Sequence, residues 1–144
     1  VVATNEWKYH AEVITGLDES LPMVPCNVGE INQVVLNLIV NGAHAIRDFS
    51  ESKGKGEINI KTRHYPSDGC VVISITDNGG GIPPMVQERI FEPFFTTKEV
   101  GVGTGQGLAI AHNVVVKSHN GQIWFESVEG EGTTFYIKLP MTQA

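Results

Sequence analysis

Cysteine is almost absent: Cys26 and Cys70 are the only two in 144 residues, and they stand far apart. That excludes a CxxC zinc module, and we expect both to be inert small hydrophobes rather than a disulfide. There is no apolar run long enough to span a bilayer and no signal-peptide pattern. A Lys/Arg cluster is missing too, and the formal net charge is −6. An acidic chain repels nucleic acid backbones, so we expect no nucleic-acid partner and no direct membrane contact. Internal repeats and low-complexity tracts are likewise lacking. The chain opens at Val1 without Met. We therefore expect a piece of a longer protein, cytoplasmic here even if the full-length protein is membrane-anchored elsewhere.

With 41% hydrophobic and 18% charged residues, the chain has the composition of one globular domain able to bury a core. Loose alternation predicts a strand over 7–15, followed by a turn-rich connection carrying two prolines. Ile31, Val34, Val35, Leu38, Ile39, Gly42 and Ile46 repeat at three and four, which predicts a helix over 29–49. Residues 57–65 and 70–76 read as a hairpin, 83–89 as a short helix entered through proline, and 93–105 as a loop. A helix over 107–119 should end at Asn120-Gly121, and strands should follow over 122–127 and 133–139. The sum is an α/β two-layer sandwich, a mixed sheet of about five strands with about three helices on one face.

The long helix has an unusual polar stripe. At about 100° per residue, Asn37, Asn41, His44 and Asp48 fall within about 60° of one another, with apolar residues around the rest of the circumference. Long charged side chains usually fill such a stripe, and asparagine is a poor helix former. Amide oxygens one turn apart suit a hard, hydrated cation such as Mg2+ that takes further ligands from phosphate and water. A solvated face on a core helix is the plainer alternative.

Two glycine-rich segments follow. Asp77-Asn78-Gly79-Gly80-Gly81-Ile82-Pro83 ends a β-branched run, where a carboxylate can accept a hydrogen bond from an exocyclic amine and bare backbone lets a flat ring approach. The same pattern also serves as a glycine turn capped by Asp. The second segment, Gly101-Val102-Gly103-Thr104-Gly105-Gln106-Gly107, fails the Rossmann spacing; no Walker motif or protein-kinase signature is present. What remains is a glycine loop feeding a helix N-terminus suited to phosphate, with Lys98 as the mobile cation before it.

Taken in order, Asn37-Leu38-Ile39-Val40-Asn41-Gly42, Asp77-x-Gly79-x-Gly81, Phe91-Glu92-Pro93-Phe94-Phe95, Gly103-Thr104-Gly105-Gln106-Gly107-Leu108 and Gly130-Glu131-Gly132-Thr133 resemble the N, G1, F, G2 and G3 boxes of the catalytic ATP-binding domain of sensor histidine kinases. The resemblance covers nearly the whole chain. It implies a Bergerat-type sandwich that binds ATP with Mg2+ and supplies the γ-phosphate to a histidine. By that resemblance Asn41 is the chief metal ligand with Asn37 beside it, and Asp77 binds the adenine amine. Gly79, Gly81 and Ile82 shape the base pocket, and Thr133 supports it from a neighbouring strand. Residues 91–105 form a lid anchored by Phe94 and Phe95. Lys98, His44 and the run Gly103, Thr104, Gly105, Gln106, Gly107 and Leu108 meet the phosphates, and Asn41 and Lys98 carry the catalysis.

Several residues depart from that pattern. His44 and Ala45 stand where many members carry Lys and an aromatic residue, Gln106 stands where Leu is common, and Gln33 and Glu30 have no assigned role. Related gyrase, mismatch-repair and chaperone ATPases use a Glu on this helix to activate water. Asn37 occupies that turn here and is no general base, which favours phosphoryl transfer over hydrolysis. The family's acceptor histidine lies on a separate dimerisation domain; His10-Ala11-Glu12 does not match its motif, and His64, His112 and His119 read as ordinary surface or partly buried histidines. The implied partners are therefore that dimerisation domain and, through the full-length kinase, a response regulator. The alternative is an anti-sigma-type serine kinase or a nucleotide-sensing interaction module of the same fold, against which the intact 91–95 segment argues.

Overall fold

Period-two burial organises the sheet. The computed structural model describes residues 11–16, 26–49, 56–92 and 107–141. Its strands are β1 (Ala11–Gly16), β2 (Gly56–Tyr65), β3 (Cys70–Asp77), β4 (Gln122–Val128) and β5 (Gly132–Pro140). Along β5, Thr133, Phe135, Ile137 and Leu139 are buried while the residues between them are half-exposed. Five strands form one sheet in the order β1-β2-β3-β5-β4. The β1–β2 pair is parallel and the other pairs are antiparallel, so the sheet is mixed, as expected. The strand expected over 7–15 begins at Ala11 here, and residues 7–10 lie outside the described part.

Helix α1 (Val28–Phe49) starts where Asn27 caps it, its Oδ1 accepting the Glu30 N–H at 3.0 Å. Ile31, Val34, Leu38, Ile39, Ala43 and Ile46 are buried and lay the apolar face of α1 on β2 and β3. Burying the isoleucine, valine and leucine side chains contributes roughly 1.5–3 kcal/mol each, the main term that holds the two layers together. The expected helix over 83–89 is instead a 3-10 stretch, Pro84–Arg89, entered from Pro83. Two adjacent prolines remove two N–H groups, and a tight short turn is what that local chemistry supports.

The expected α-helix over 107–119 divides in two. α2 covers Gly107–His112, and a π-helical stretch, Asn113–Ser118, continues it. The widening coincides with three consecutive valines, Val114 to Val116, and with a side chain that takes one of their carbonyls: His119 Nδ1 lies 2.9 Å from the Val114 oxygen. Asn120, at φ 54, then closes the end, and the Gly121 N–H donates to the Val115 oxygen at 2.8 Å.

His119 is not the surface or partly buried histidine that sequence suggests. It is 3% exposed, and its Nε2 accepts the Asn27 N–H at 2.9 Å. With the Nδ1 hydrogen directed at Val114, the ring is a neutral tautomer tying the start of α1 to the end of the π stretch. His119→Phe keeps the ring volume but leaves the Asn27 N–H without its acceptor. It should destabilise the chain by about 1–3 kcal/mol, read as a lower urea midpoint at unchanged slope. An unchanged midpoint would show that the tie carries no stability.

Candidate functional site

The inward row of β3 runs Val71, Ile73, Ile75 and then Asp77, so the pleat carries a carboxylate to a core position. Asp77 is 7% exposed. Its Oδ1 accepts the Gly79 N–H at 2.9 Å. Burial pushes its pKa from an ordinary 3.8 up to about 6, while hydrogen bonds from the backbone N–H groups of Gly79 and Thr133 pull it back part of the way. Thr133, 5% exposed, faces Asp77 in register across β3 and β5. The two buried polar side chains thus sit side by side at one end of the sheet.

Backbone packing keeps them there. A Cβ on Gly42 of α1 would lie 3.2 Å from the Asp77 Cβ. A Cβ on Gly79 would lie 2.7 Å from the Ala45 carbonyl carbon of the same helix. One on Gly81, which has φ +74, would meet the Val128 oxygen at 2.5 Å, and one on Gly132 would overlap the Asp77 oxygen. The space beside Gly79 and Gly81 is therefore filled by the chain's own backbone. Having no side chain in that direction lets the loop press against α1 on one side and the β4–β5 turn on the other.

Hydrogen bonds pin the same loop at several points. The Gly130 N–H donates to the Gly80 oxygen at 2.8 Å. Ile82 donates its N–H to Ser127 Oγ at 2.7 Å and accepts from Gln87 Nε2 at 2.9 Å. Asn78 Oδ1 accepts the Glu57 N–H at 2.8 Å and so extends the β2–β3 pairing past Asp77. Asn78, Gln87 and Ser127 were not anticipated. Isolated polar residues in a strand or turn carry no periodic signal, and only the fold reveals their partners.

Gly42 and Ala45 bring the Asn-bearing stretch of α1 alongside this loop. Asn37, Asn41 and His44 are half-buried, and Asn37 and Asn41 stand one turn apart. Asn37 Oδ1 accepts from Gln33 Nε2 at 3.0 Å, which gives Gln33 the role its sequence position did not suggest. His44 has an interaction within the chain. Among the described residues no group of three His, Cys, Asp or Glu could hold a metal. Two neutral amide oxygens fit Mg2+ only if phosphate and water supply the remaining ligands, a fit that requires a polyphosphate beside the helix.

Phe91 fixes the start of the expected lid. Its ring centroid lies 5.3 Å from His112, 6.0 Å from Phe125 and 6.4 Å from Phe135. Ile82 and Leu108 pack on the same core, and Gly107 opens α2. Phe94, Lys98, Gly103, Thr104, Gly105 and Gln106, like the side chain of Asp48, lie outside the described residues.

Residues 27–143 match the family model of histidine kinase-, DNA gyrase B- and HSP90-like ATPases. The sensor kinase CckA of Brucella abortus is 42% identical over 130 residues, covering 81% of this chain and 13% of that protein. The histidine-protein kinase AtoS of Escherichia coli is 38% identical over 141 residues, covering 98% of this chain and 22% of AtoS. The chain thus spans less than a quarter of these relatives' lengths. The solved catalytic domain of the histidine kinase ThkA superposes with a TM-score of 0.72 at 31% identity, over 94% of this chain and 84% of that one. Full-length ShkA, solved with AMPPNP, gives 0.78 at 25% identity, over 99% of this chain and 28% of ShkA.

Because the folded chain holds the Asp77 proton more tightly than the unfolded chain, ionisation of Asp77 opposes folding. Relative to Asp77→Asn, the wild-type chain should lose on the order of 3 kcal/mol of stability as pH rises from about 4 to about 6, and no more above that. Urea unfolding across pH measures this. A difference that does not change with pH would mean the carboxylate is solvated.

Proposed function

This chain belongs to the family of histidine kinase-, DNA gyrase B- and HSP90-like ATPases, as a sensor histidine kinase catalytic domain, and from that premise we propose that it binds ATP with Mg2+ and hands the γ-phosphate to a histidine on the dimerisation domain of the same protein. The observation that carries the reading is Asp77: a carboxylate buried at a strand end, with no cationic side chain paired to it among the described residues. The adenine amine is the donor that offsets its desolvation. Asn41 and Asn37 hold Mg2+ together with phosphate oxygens and water. Bound metal spreads the charge of the transferring phosphoryl group, and the protein's part is to aim it. Lys98, His44 and the Gly103-to-Leu108 run, which resembles the G2 box, meet the phosphates, with Phe94 in the lid above them.

Two features support transfer to a partner rather than hydrolysis. Asn37, whose oxygen is engaged by Gln33, stands at the turn where the related ATPases place a water-activating Glu. His119 is buried and engaged on both ring nitrogens, so it offers no acceptor. ThkA has been solved with the response regulator TrrA, and we extend that partner class to the full-length protein of this chain. Among the described residues no helix is long and apolar enough to cross a membrane. From the sensor-kinase family, not from that absence, we place the domain in the cytoplasm.

Saturating Mg·ATP, at about a hundred times its dissociation constant, should raise the thermal midpoint by roughly 5–10 °C, with GTP having little effect. Asn41→Ala should abolish the part of that shift which depends on Mg2+ and leave the melting of the free chain unchanged. No shift with any adenine nucleotide would remove the basis of the assignment. Incubated alone with γ-labelled ATP, the chain should form no phosphohistidine; label should appear once the dimerisation domain is added in trans. Label on the isolated chain would place the acceptor within it.

A further inference from the structure

The loop after Asp77 hangs on one hydroxyl. Ser127 Oγ accepts the Ile82 N–H at 2.7 Å, lies 2.8 Å from Thr133 Oγ1, and lies 3.2 Å from the Gly132 carbonyl oxygen. Serine has a single hydroxyl proton, so it cannot donate to both oxygens at once. In one arrangement Ser127 donates to Gly132 and accepts from both Ile82 and Thr133, which commits the Thr133 proton to Ser127. In the other, Ser127 donates to Thr133, and the Thr133 proton is released to point elsewhere. Thr133 is buried and stands in register with Asp77. The orientation of the Ser127 hydroxyl therefore decides whether the group beside Asp77 offers a proton or a lone pair.

We propose that Ser127 is a positioning residue for purine selection, holding the Asp77 loop through Ile82 and setting the polarity of the Thr133 hydroxyl toward the base. The proposal rests on the reading that a purine sits at Asp77. Adenine presents a donor, its amine, next to an acceptor, its ring N1. A 6-oxopurine such as hypoxanthine or guanine presents the reverse, an acceptor oxygen next to a ring N–H. An ionised Asp77 can only accept, so it suits the amine. A Thr133 free to give its proton suits the neighbouring ring nitrogen, and the arrangement in which Ser127 donates to Thr133 is the one adenine selects. Without the Ser127 hydroxyl, Thr133 turns freely and Ile82 loses its acceptor, so both the grip on adenine and the discrimination against the reversed edge decline.

Dissociation constants for ATP, inosine triphosphate and GTP, measured by calorimetry on the wild-type chain, Ser127→Ala and Ser127→Thr, test this. Ser127→Ala should weaken ATP about three- to tenfold while weakening inosine triphosphate less, so that the ratio between them narrows. Ser127→Thr keeps the hydroxyl and should restore the ratio. If Ser127→Ala does not fold, Ser127→Cys, close in size but a weak hydrogen-bond partner, carries the same expectation. Equal losses for both nucleotides would make Ser127 structural only and overturn the proposal, as would an unchanged ratio. A wild-type chain that binds no purine nucleotide overturns the underlying reading as well, and that outcome is separately visible because it precedes any variant.

Discussion

Between α1 and the β4–β5 turn there is no room for a side chain at Gly79 or Gly81, and the rest of the site depends on that squeeze. Gly79 meets the helix backbone and Gly81 meets Val128. Three glycines in four positions cost conformational entropy, since glycine loses the most freedom on folding. What the fold gains is a carboxylate with almost no water around it, ordered by backbone N–H groups. A hydrogen bond made to such a group is stronger than one made in water, and little reorganisation is needed when it forms. The cost sits in the protein as a raised pKa, and on the proposed reading a ligand donor relieves it.

The two ends of the site follow different chemistry. The base end is built from backbone, two buried side chains and a serine, all fixed by the sheet. The end on α1 offers two half-buried neutral amides on a helix face and no carboxylate cluster among the described residues. Neutral ligands hold a divalent ion weakly on their own, so on the proposed reading ion and polyphosphate come as a pair. In a chain of net charge −6 that pairing also lowers the repulsion a bare polyphosphate would meet. On the proposed reading, specificity for the base and attachment of the phosphates are therefore separable properties of one site.

Much of this was legible in the sequence. Helix α1 and the strands follow from three-four and two-residue periodicity, and the position of Asp77 in the row Val71, Ile73, Ile75 already implied an inward carboxylate. The ordered glycine and asparagine segments carried the family. Less legible was anything whose partner lies far along the chain. The neighbour of Gly79 is Ala45 and that of Gly81 is Val128, and neither contact can be read from the glycine run itself. His119 binds Asn27, and nothing local to either residue announces it. The π stretch combines a valine run with a side chain competing for a carbonyl, a contest that local propensity alone does not decide.

The strand order β1-β2-β3-β5-β4 places β5, far along the chain, in contact with β3. Asp77 leaves the ribosome well before Thr133, Ser127 and the β4–β5 turn that enclose it. A nascent chain halted between them has a β3 whose outer edge is unpaired and whose terminal carboxylate still faces water. The enclosure of Asp77 by Thr133 is thus a property that the polypeptide acquires only when the β4–β5 hairpin pairs with β3.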